Sequence, residues 1–210
     1  MFRSRQAAAV GRRRRVVSGI DEPILVDVPE QIDTDRLLIR PPRPGDGASI
    51  NIAVRESFDQ LKPWMPWAQE IPSAAQSEIF ARESAARFAR REDLPLLLFE
   101  RGTEQLIGAS GLHRIDWSVP SFEVGYWCRS SCVGRGYIGE AVRAICRMAF
   151  TSLSARRFEA RMDNANERSW RVVERLGFTL EGILRGDTRG PSGEIRDTRV
   201  YSIVTLDELR

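Results

Sequence analysis

Residues 121–150 read S-F-E-V-G-Y-W-C-R-S-S-C-V-G-R-G-Y-I-G-E-A-V-R-A-I-C-R-M-A-F. The first seven residues after Ser121 alternate. Phe122, Val124, Tyr126 and Cys128 share one side, and Glu123, Gly125 and Trp127 the other, the period-2 pattern of a half-buried strand. A glycine inside such a strand predicts a bulge or the close approach of another backbone. The last segment carries Ile138, Val142, Ile145 and Ala149 at i, i+4, i+7 and i+11, the apolar stripe of an amphipathic helix. Between strand and helix lie Val133, Gly134, Arg135, Gly136, Tyr137, Ile138 and Gly139. Glycines at a helix entrance let backbone N–H groups approach a phosphate, and the positive end of the helix favours negative charge. Arg135 adds a cation. The loop also satisfies G-x-G-x-x-G, a weak signal on its own.

Working outward, residues 36–40 (R-L-L-I-R) read as a strand stopped by Pro41 and Pro42. Residues 49–57 look helical. Residues 61–67 (L-K-P-W-M-P-W) cannot form a regular helix, because Pro63 and Pro66 break it. Ser73 with Gln76 three residues on forms a capping-box pattern. It opens a helix through Ile79, Phe80 and Phe88 to about Arg91. Residues 94–100 and 105–117 read as a hairpin, and residues 157–162 as another strand. Asn166 suits the cap of a helix whose apolar side holds Trp170, Val173 and Leu176, with Gly177 as its stop. Residues 178–184 and 198–205 read as closing strands joined by a turn at residues 190–193. Strands outnumber helices, and hairpins mix with strand–helix–strand units. The expected fold is therefore α/β (α+β) with a mixed sheet flanked by helices, not a doubly wound parallel sheet.

The chain has 210 residues, is 42% hydrophobic and 29% charged, and carries a formal net charge of +3, the composition of a globular protein with a sizeable core. Residues 1–19 hold six arginines and no acid, so the remainder carries 26 basic against 29 acidic residues, net −3. The basic character belongs to that stretch. Residues 1–30 are expected to form a disordered Arg-rich extension, and residues 31–210 one domain. The stretch lacks the apolar run of an export signal, and no run of about 18 apolar residues exists to span a membrane; the expected compartment is the cytoplasm. Three cysteines (Cys128, Cys132, Cys146) and one histidine (His113) supply no convincing metal site. Cys128 and Cys132 are expected as buried small hydrophobes, and His113 in a surface or loop role at a strand end.

Two phosphate-bearing ligands compete for the loop. A dinucleotide fold wants it after the first strand, with an acid about 20 residues on. Glu159 meets that spacing, but roughly half the chain precedes the loop, which leaves no room for two mononucleotide-binding halves. The other class is coenzyme A. Residues 121–150 resemble the acetyl-CoA motif of the GNAT acetyltransferase superfamily, in its RimJ/RimL-like branch. A second match is Asn166-Glu-Arg-Ser169, then residues 171–178 (R-V-V-E-R-L-G-F), then Glu181 and Gly182. Softer matches are residues 34–40 (T-D-R-L-L-I-R), and residues 55–57 (R-E-S) with residues 61–67. Together they cover about residues 32–206. The family's loop is written Q/R-x-x-G-x-G/A; here Val133 stands at the Q/R position and Ile138 at the last G/A.

The resemblance implies a strongly twisted mixed sheet in which the strands at residues 122–128 and 157–162 run parallel and splay apart. It places the pantetheine arm of acetyl-CoA in that splay, against Tyr126, Trp127, Cys128 and Asn166, with the pyrophosphate on residues 133–139. No metal is implied. Glu123 is the implied base for the attacking amine, acting through a water. Ser169 is the implied proton donor to the leaving thiolate or a partner of the CoA sulfur. Trp64 and Trp67 suit the walls of an acceptor pocket, and Glu56 a carboxylate for a cationic amine. The expected activity is acetyl transfer to a protein N-terminal α-amine. Its rivals are a small-molecule amine acetyltransferase and a non-catalytic acyl-CoA-binding module. Further expected partners are RNA or the ribosome, through the Arg-rich stretch, and a second copy of the chain.

Overall fold

The computed structural model describes residues 19–210. Eight strands form one mixed sheet: β1 (Ile32–Asp33), β2 (Leu37–Arg40), β3 (Leu94–Glu100), β4 (Leu106–Asp116), β5 (Ser121–Cys128), β6 (Arg157–Asp163), β7 (Thr179–Arg189) and β8 (Ile195–Ile203). Four α-helices flank it: α1 (Gly47–Leu61), α2 (Ala74–Arg90), α3 (Tyr137–Ser152) and α4 (Glu167–Arg175). The strand order is β1-β2-β3-β4-β5-β6-β8-β7. Neighbours are antiparallel except β5 and β6, which run parallel.

Each face of the sheet has its own core, and β3 shows how sequence sorts them. All but the last of its residues, L-P-L-L-L-F-E, are buried. Leu94, Leu96 and Leu98 join the large cluster with Val142 and Ile145 of α3 and Val173 of α4. Leu97 and Phe99 join the smaller cluster with Ile50, Ala53 and Val54 of α1 and Ala81 of α2. A strand apolar on both faces belongs in the middle of a sheet covered on both sides.

Local signals held at several helix ends. Ser73 Oγ accepts from the Gln76 N–H and the Ser73 N–H donates to Gln76 Oε1, completing the capping box of α2. Asn166 Oδ1 caps α4 by accepting from the Ser169 N–H. Gly177 stops α4 at φ 92°, and a Cβ there would lie 2.2 Å from the Glu208 carbonyl oxygen, so both conformation and space demand glycine.

Two expectations need correction, and the packing of α2 adds a finding. The helix runs through Ile79 and Phe80 as expected, but these two are 54% and 44% exposed. The buried face of α2 is instead Ser77, Ala81, Ser84 and Phe88, because close packing against α1 admits only small side chains at three of those positions. The disordered extension was expected to reach residue 30, but residues 19–30 lie against the domain. The Ile20 N–H donates to the Trp117 carbonyl, Arg91 donates to the Val26 carbonyl, and Val28 is buried. Residues 1–18, which hold the arginine block, lie outside the described residues. Finally, the bulge offered for Gly125 is absent, and the close neighbour there is the His113 ring, not another backbone. The β4–β5 ladder is regular from Gly108↔Cys128 to His113↔Glu123, and its irregularity falls beyond, between His113 and Asp116.

Candidate active site

The site begins where the parallel pair comes apart. β5 and β6 are in register only at Ser121↔Arg157, Phe122↔Phe158 and Glu123↔Glu159. From Val124 onward no β6 residue stands opposite β5, while β4 keeps its other edge paired to Cys128 and β8 holds β6 to Asp163. The Arg129 N–H donates to the Ile107 carbonyl at 2.7 Å. Alternation along an antiparallel ladder then gives the backbone groups of Trp127 and Gly125 to β4. Those of Tyr126 and Cys128 face the gap.

A cavity of about 750 Å³ occupies this gap and is lined from both faces of the sheet. It brings together Glu123, Gly125, Tyr126, Trp127, Asn166 and Ser169 with the acceptor-side tryptophans Trp64 and Trp67. Trp67 packs on Trp127 with ring centroids 6.2 Å apart, so the Pro-bounded loop of residues 61–67 is pinned to β5. Two expected residues, Cys128 and Glu56, and the whole glycine loop fall outside the lining. Cys128 is half-buried, and burial pushes its thiol up to about 12. That makes it a poor nucleophile, as its reading as a small hydrophobe requires. Glu56 was expected to meet a cationic amine, but its carboxylate is already committed. It accepts from Arg129 at 2.6 Å and from the Ser131 N–H at 3.0 Å. The glycine loop itself lies beyond the cavity at the head of α3.

Glu123 stands in a largely buried wall of the cavity. Its side chain is only 16% exposed. Burial raises its pKa above the ordinary carboxylate range, opposed by Arg114 and reinforced by Glu159. Oε2 lies 3.3 Å from Arg114 Nη1, close enough for an ion pair but off hydrogen-bond geometry, so that oxygen is buried without a hydrogen-bond partner. A buried carboxylate oxygen left unpartnered in the wall of a cavity is costly unless something occupies that position.

Ser169 sits across the gap. Its Oγ donates to the Tyr126 hydroxyl oxygen at 3.3 Å, and the Tyr126 hydroxyl donates to the Ser169 carbonyl at 2.9 Å. Burial drives the Tyr126 hydroxyl pKa upward, with the Ser169 hydrogen bond opposing; the pair holds its protons at neutral pH. The side chain of Tyr126 was not singled out from sequence, where only its strand position mattered.

The glycine loop keeps its expected form. Gly134 and Gly136 each adopt φ 81°, open to glycine and strained for other residues. Glu140 is the first residue of α3 to bond back, to the Gly136 carbonyl at 3.1 Å. The N–H groups of Tyr137, Ile138 and Gly139 ahead of it have no place in the helical ladder. Val133, Gly134, Arg135 and Gly136 are exposed. The Tyr137 side chain is buried, with its hydroxyl on Glu100, so only its backbone N–H serves the loop. Arg135 stacks on Tyr137 at 5.0 Å and lies 3.8 Å from Glu100.

Sequence reasoning missed His113, expected in a surface or loop role. It lines the cavity within β4, which runs on to Asp116. It also missed the ion pairs that frame the mouth, Arg161–Asp187 and Arg196–Asp163. No spacing signal marks them, since they join distant strands. Among the described residues no group of acids, cysteines and histidine could hold a metal ion, and no helix is long and apolar enough to cross a membrane.

Comparison with known proteins places this architecture. The profile of the acetyltransferase (GNAT) domain matches residues 36–179. The uncharacterized N-acetyltransferase p20 of Bacillus licheniformis is 32% identical over 102 residues, 49% of this chain and 57% of that protein. The [ribosomal protein uS5]-alanine N-acetyltransferase of Escherichia coli (strain K12) is 26% identical over 84% of this chain and 92% of its own length. Among solved structures, RimL, a ribosomal L7/L12 α-N-protein acetyltransferase in complex with coenzyme A, superposes with a TM-score of 0.76. Its identity is 20%, and the match covers 84% of this chain and 97% of that one. The sheet, its splayed parallel pair and the profile match agree: the chain belongs to the GNAT acetyltransferase family.

Proposed function

We propose that this chain transfers acetyl from acetyl-CoA to a primary amine, a protein N-terminal α-amine above all, by direct attack without a covalent enzyme intermediate. The observation that carries this reading is the β5–β6 gap, which opens one residue past the buried, unpartnered carboxylate of Glu123. In the proposed complex the pantetheine lies along the backbone of Tyr126 and Cys128, near Asn166. The pyrophosphate meets the N–H groups at the head of α3. The amine nitrogen attacks the thioester carbonyl carbon, the C–N bond forms and the C–S bond breaks. Glu123 takes the amine proton through a water, aided by its raised pKa. The Ser169 hydroxyl turns its hydrogen bond from Tyr126 to the departing thiolate, which then takes its proton from solvent. A neutral α-amine is easily had, since its pKa lies near about 8 against about 10.4 for lysine.

The mouth favours a peptide over a polycationic small molecule. Its carboxylates are matched by guanidinium groups, Asp187 by Arg161 and Asp163 by Arg196, so the wall is not an acidic trap. Trp64 and the exposed Trp67 supply rigid apolar surface suited to the residues behind an N-terminus. The relatives named as ribosomal-protein acetyltransferases point the same way. Contact with RNA or the ribosome through the arginines of residues 1–19 belongs to the same proposal, and salt-dependent RNA binding by the full chain would test it.

The deciding experiment profiles acceptors. CoA release from acetyl-CoA is followed with N-terminal peptides and with small amines in parallel. Transfer to peptide α-amines is expected. Transfer to small amines alone would move the acceptor class, and binding of acetyl-CoA without transfer to any amine would leave an acyl-CoA-binding module.

A further inference from the structure

His113 stands directly opposite Glu123 in the β4–β5 ladder, and both side chains line the cavity. Its ring is fixed at two points. Nδ1 lies 2.7 Å from Oδ1 of Asp93, the residue before β3. The ring plane rests over Gly111 and Gly125, themselves a cross-strand pair. A Cβ built on Gly111 would lie 2.9 Å from Cε1 and 3.0 Å from Nε2, and one built on Gly125 would lie 3.1 Å from Cδ2 and 3.3 Å from Nε2. Two glycines face each other where any side chain would push the imidazole aside. With Asp93 accepting from Nδ1–H, Nε2 carries the lone pair. Nε2 has no hydrogen-bond partner among the described residues, and the side chain is 36% exposed. Next to it, past Glu123, β5 parts from β6.

We propose that His113, oriented by Asp93, is a second proton acceptor for the attacking amine, working beside Glu123. The proposal rests on the acetyltransferase reading above. As the C–N bond forms and the C–S bond breaks, the amine proton passes to Nε2, directly or through the water it shares with Glu123. The resulting imidazolium is held by the Asp93 carboxylate. Because His113 is more exposed than Glu123, it also offers that proton a way out to solvent. Glu123 holds its proton in a dry wall; His113 releases it. Asp93 is a positioning residue.

The test uses the full chain with acetyl-CoA and the best acceptor found by profiling. His113→Ala is expected to lower kcat tenfold to a hundredfold, with Glu123 carrying the remainder, and to leave CoA affinity unchanged. The hollow left above Gly111 and Gly125 has the shape of the lost ring, so added imidazole should restore turnover saturably. In the His113→Ala/Asp93→Asn double variant the same imidazole should restore much less, an effect that a merely structural Asp93 would not produce. Thermal unfolding with and without CoA confirms folding. Should His113→Ala fail to fold, His113→Gln carries the test, since it fills the same space without a basic nitrogen and should show a comparable loss. Wild-type kcat in either variant overturns the inference, as does a folded, CoA-binding His113→Ala that imidazole does not repair. A wild-type protein that transfers acetyl to no amine would instead overturn the acetyltransferase reading, and this inference with it.

Discussion

Glu123 is set apart by what is missing around it. One carboxylate oxygen is buried without a hydrogen bond, and burial outweighs the attraction of Arg114, so the group resists ionisation. A folded-state pKa above the ordinary range stabilises the protein at pH values below that range. The contribution is lost as pH rises through the folded value. Glu123→Gln removes this penalty, so the variant should match wild type near pH 4 and unfold at a higher temperature than wild type above neutrality. The same substitution should lower turnover tenfold to a thousandfold while CoA affinity holds, because the lost function is proton transfer. Thermal melts across pH and steady-state kinetics read both effects. Unchanged turnover at neutral pH would remove Glu123 from the chemistry. Glu123 could be found in the sequence because a carboxylate on the strand before a glycine loop stands out in a known pattern. His113 could not. Its meaning depends on which residue of β5 faces it, and register between strands is set by tertiary packing. The hint in the sequence was Gly111 and Gly125, two strand glycines that local propensity does not explain.

At the scale of elements, the glycine loop is held by neighbours outside it. Glu56 of α1 binds Arg129 and the Ser131 N–H, which ties that helix to the segment leading into the loop. The Arg129 guanidinium beside it is the largest cause that lowers the Glu56 pKa to about 2. A depressed carboxylate stabilises above the ordinary range and loses that contribution as pH falls toward the folded value, here between about 4.5 and about 2. The carboxylate is partly exposed, so the effect is a modest one. Glu56→Gln should lower the melting temperature slightly at neutral pH, with the difference from wild type vanishing near pH 2. It should also weaken CoA several-fold by loosening the loop, with acceptor KM unchanged. Calorimetry with CoA and the pH series of melts check this; a change in acceptor KM alone would restore Glu56 to the amine side. Helix caps were legible because Ser73, Gln76 and Asn166 act on neighbours within four residues. The buried face of α2 was not legible, because hydrophobicity alone does not say that the helix packs through Ser77, Ala81 and Ser84 and leaves Ile79 and Phe80 exposed. Phe80 lines the cavity instead.

For the molecule as a whole, topology decides which nucleotide the glycine loop can serve. A dinucleotide site needs parallel strands fanning from a switch point, with the loop after the first of them. Here the loop follows β5, the fifth of eight strands, and the sheet has a single parallel pair. What that pair provides is a gap between strands, part of a cavity lined by residues of α1 and α2 and by Ser169 of α4. A long flexible thiol arm fits a slot, whereas a nicotinamide ring needs a crevice at strand ends. CoA should therefore bind only the folded chain and raise its stability by mass action, about 2.7 kcal/mol at a hundredfold excess over Kd. For a chain of this size about 1 kcal/mol moves the midpoint by about 2–4 °C, so saturating CoA should raise it by about 5–10 °C. NAD at the same concentration should leave it in place, although both ligands carry adenine and a pyrophosphate. Differential scanning fluorimetry with the two ligands in parallel makes the comparison. A shift with NAD equal to that with CoA would mean the loop reads only the pyrophosphate. The gap between β5 and β6 would then have no part in choosing the ligand.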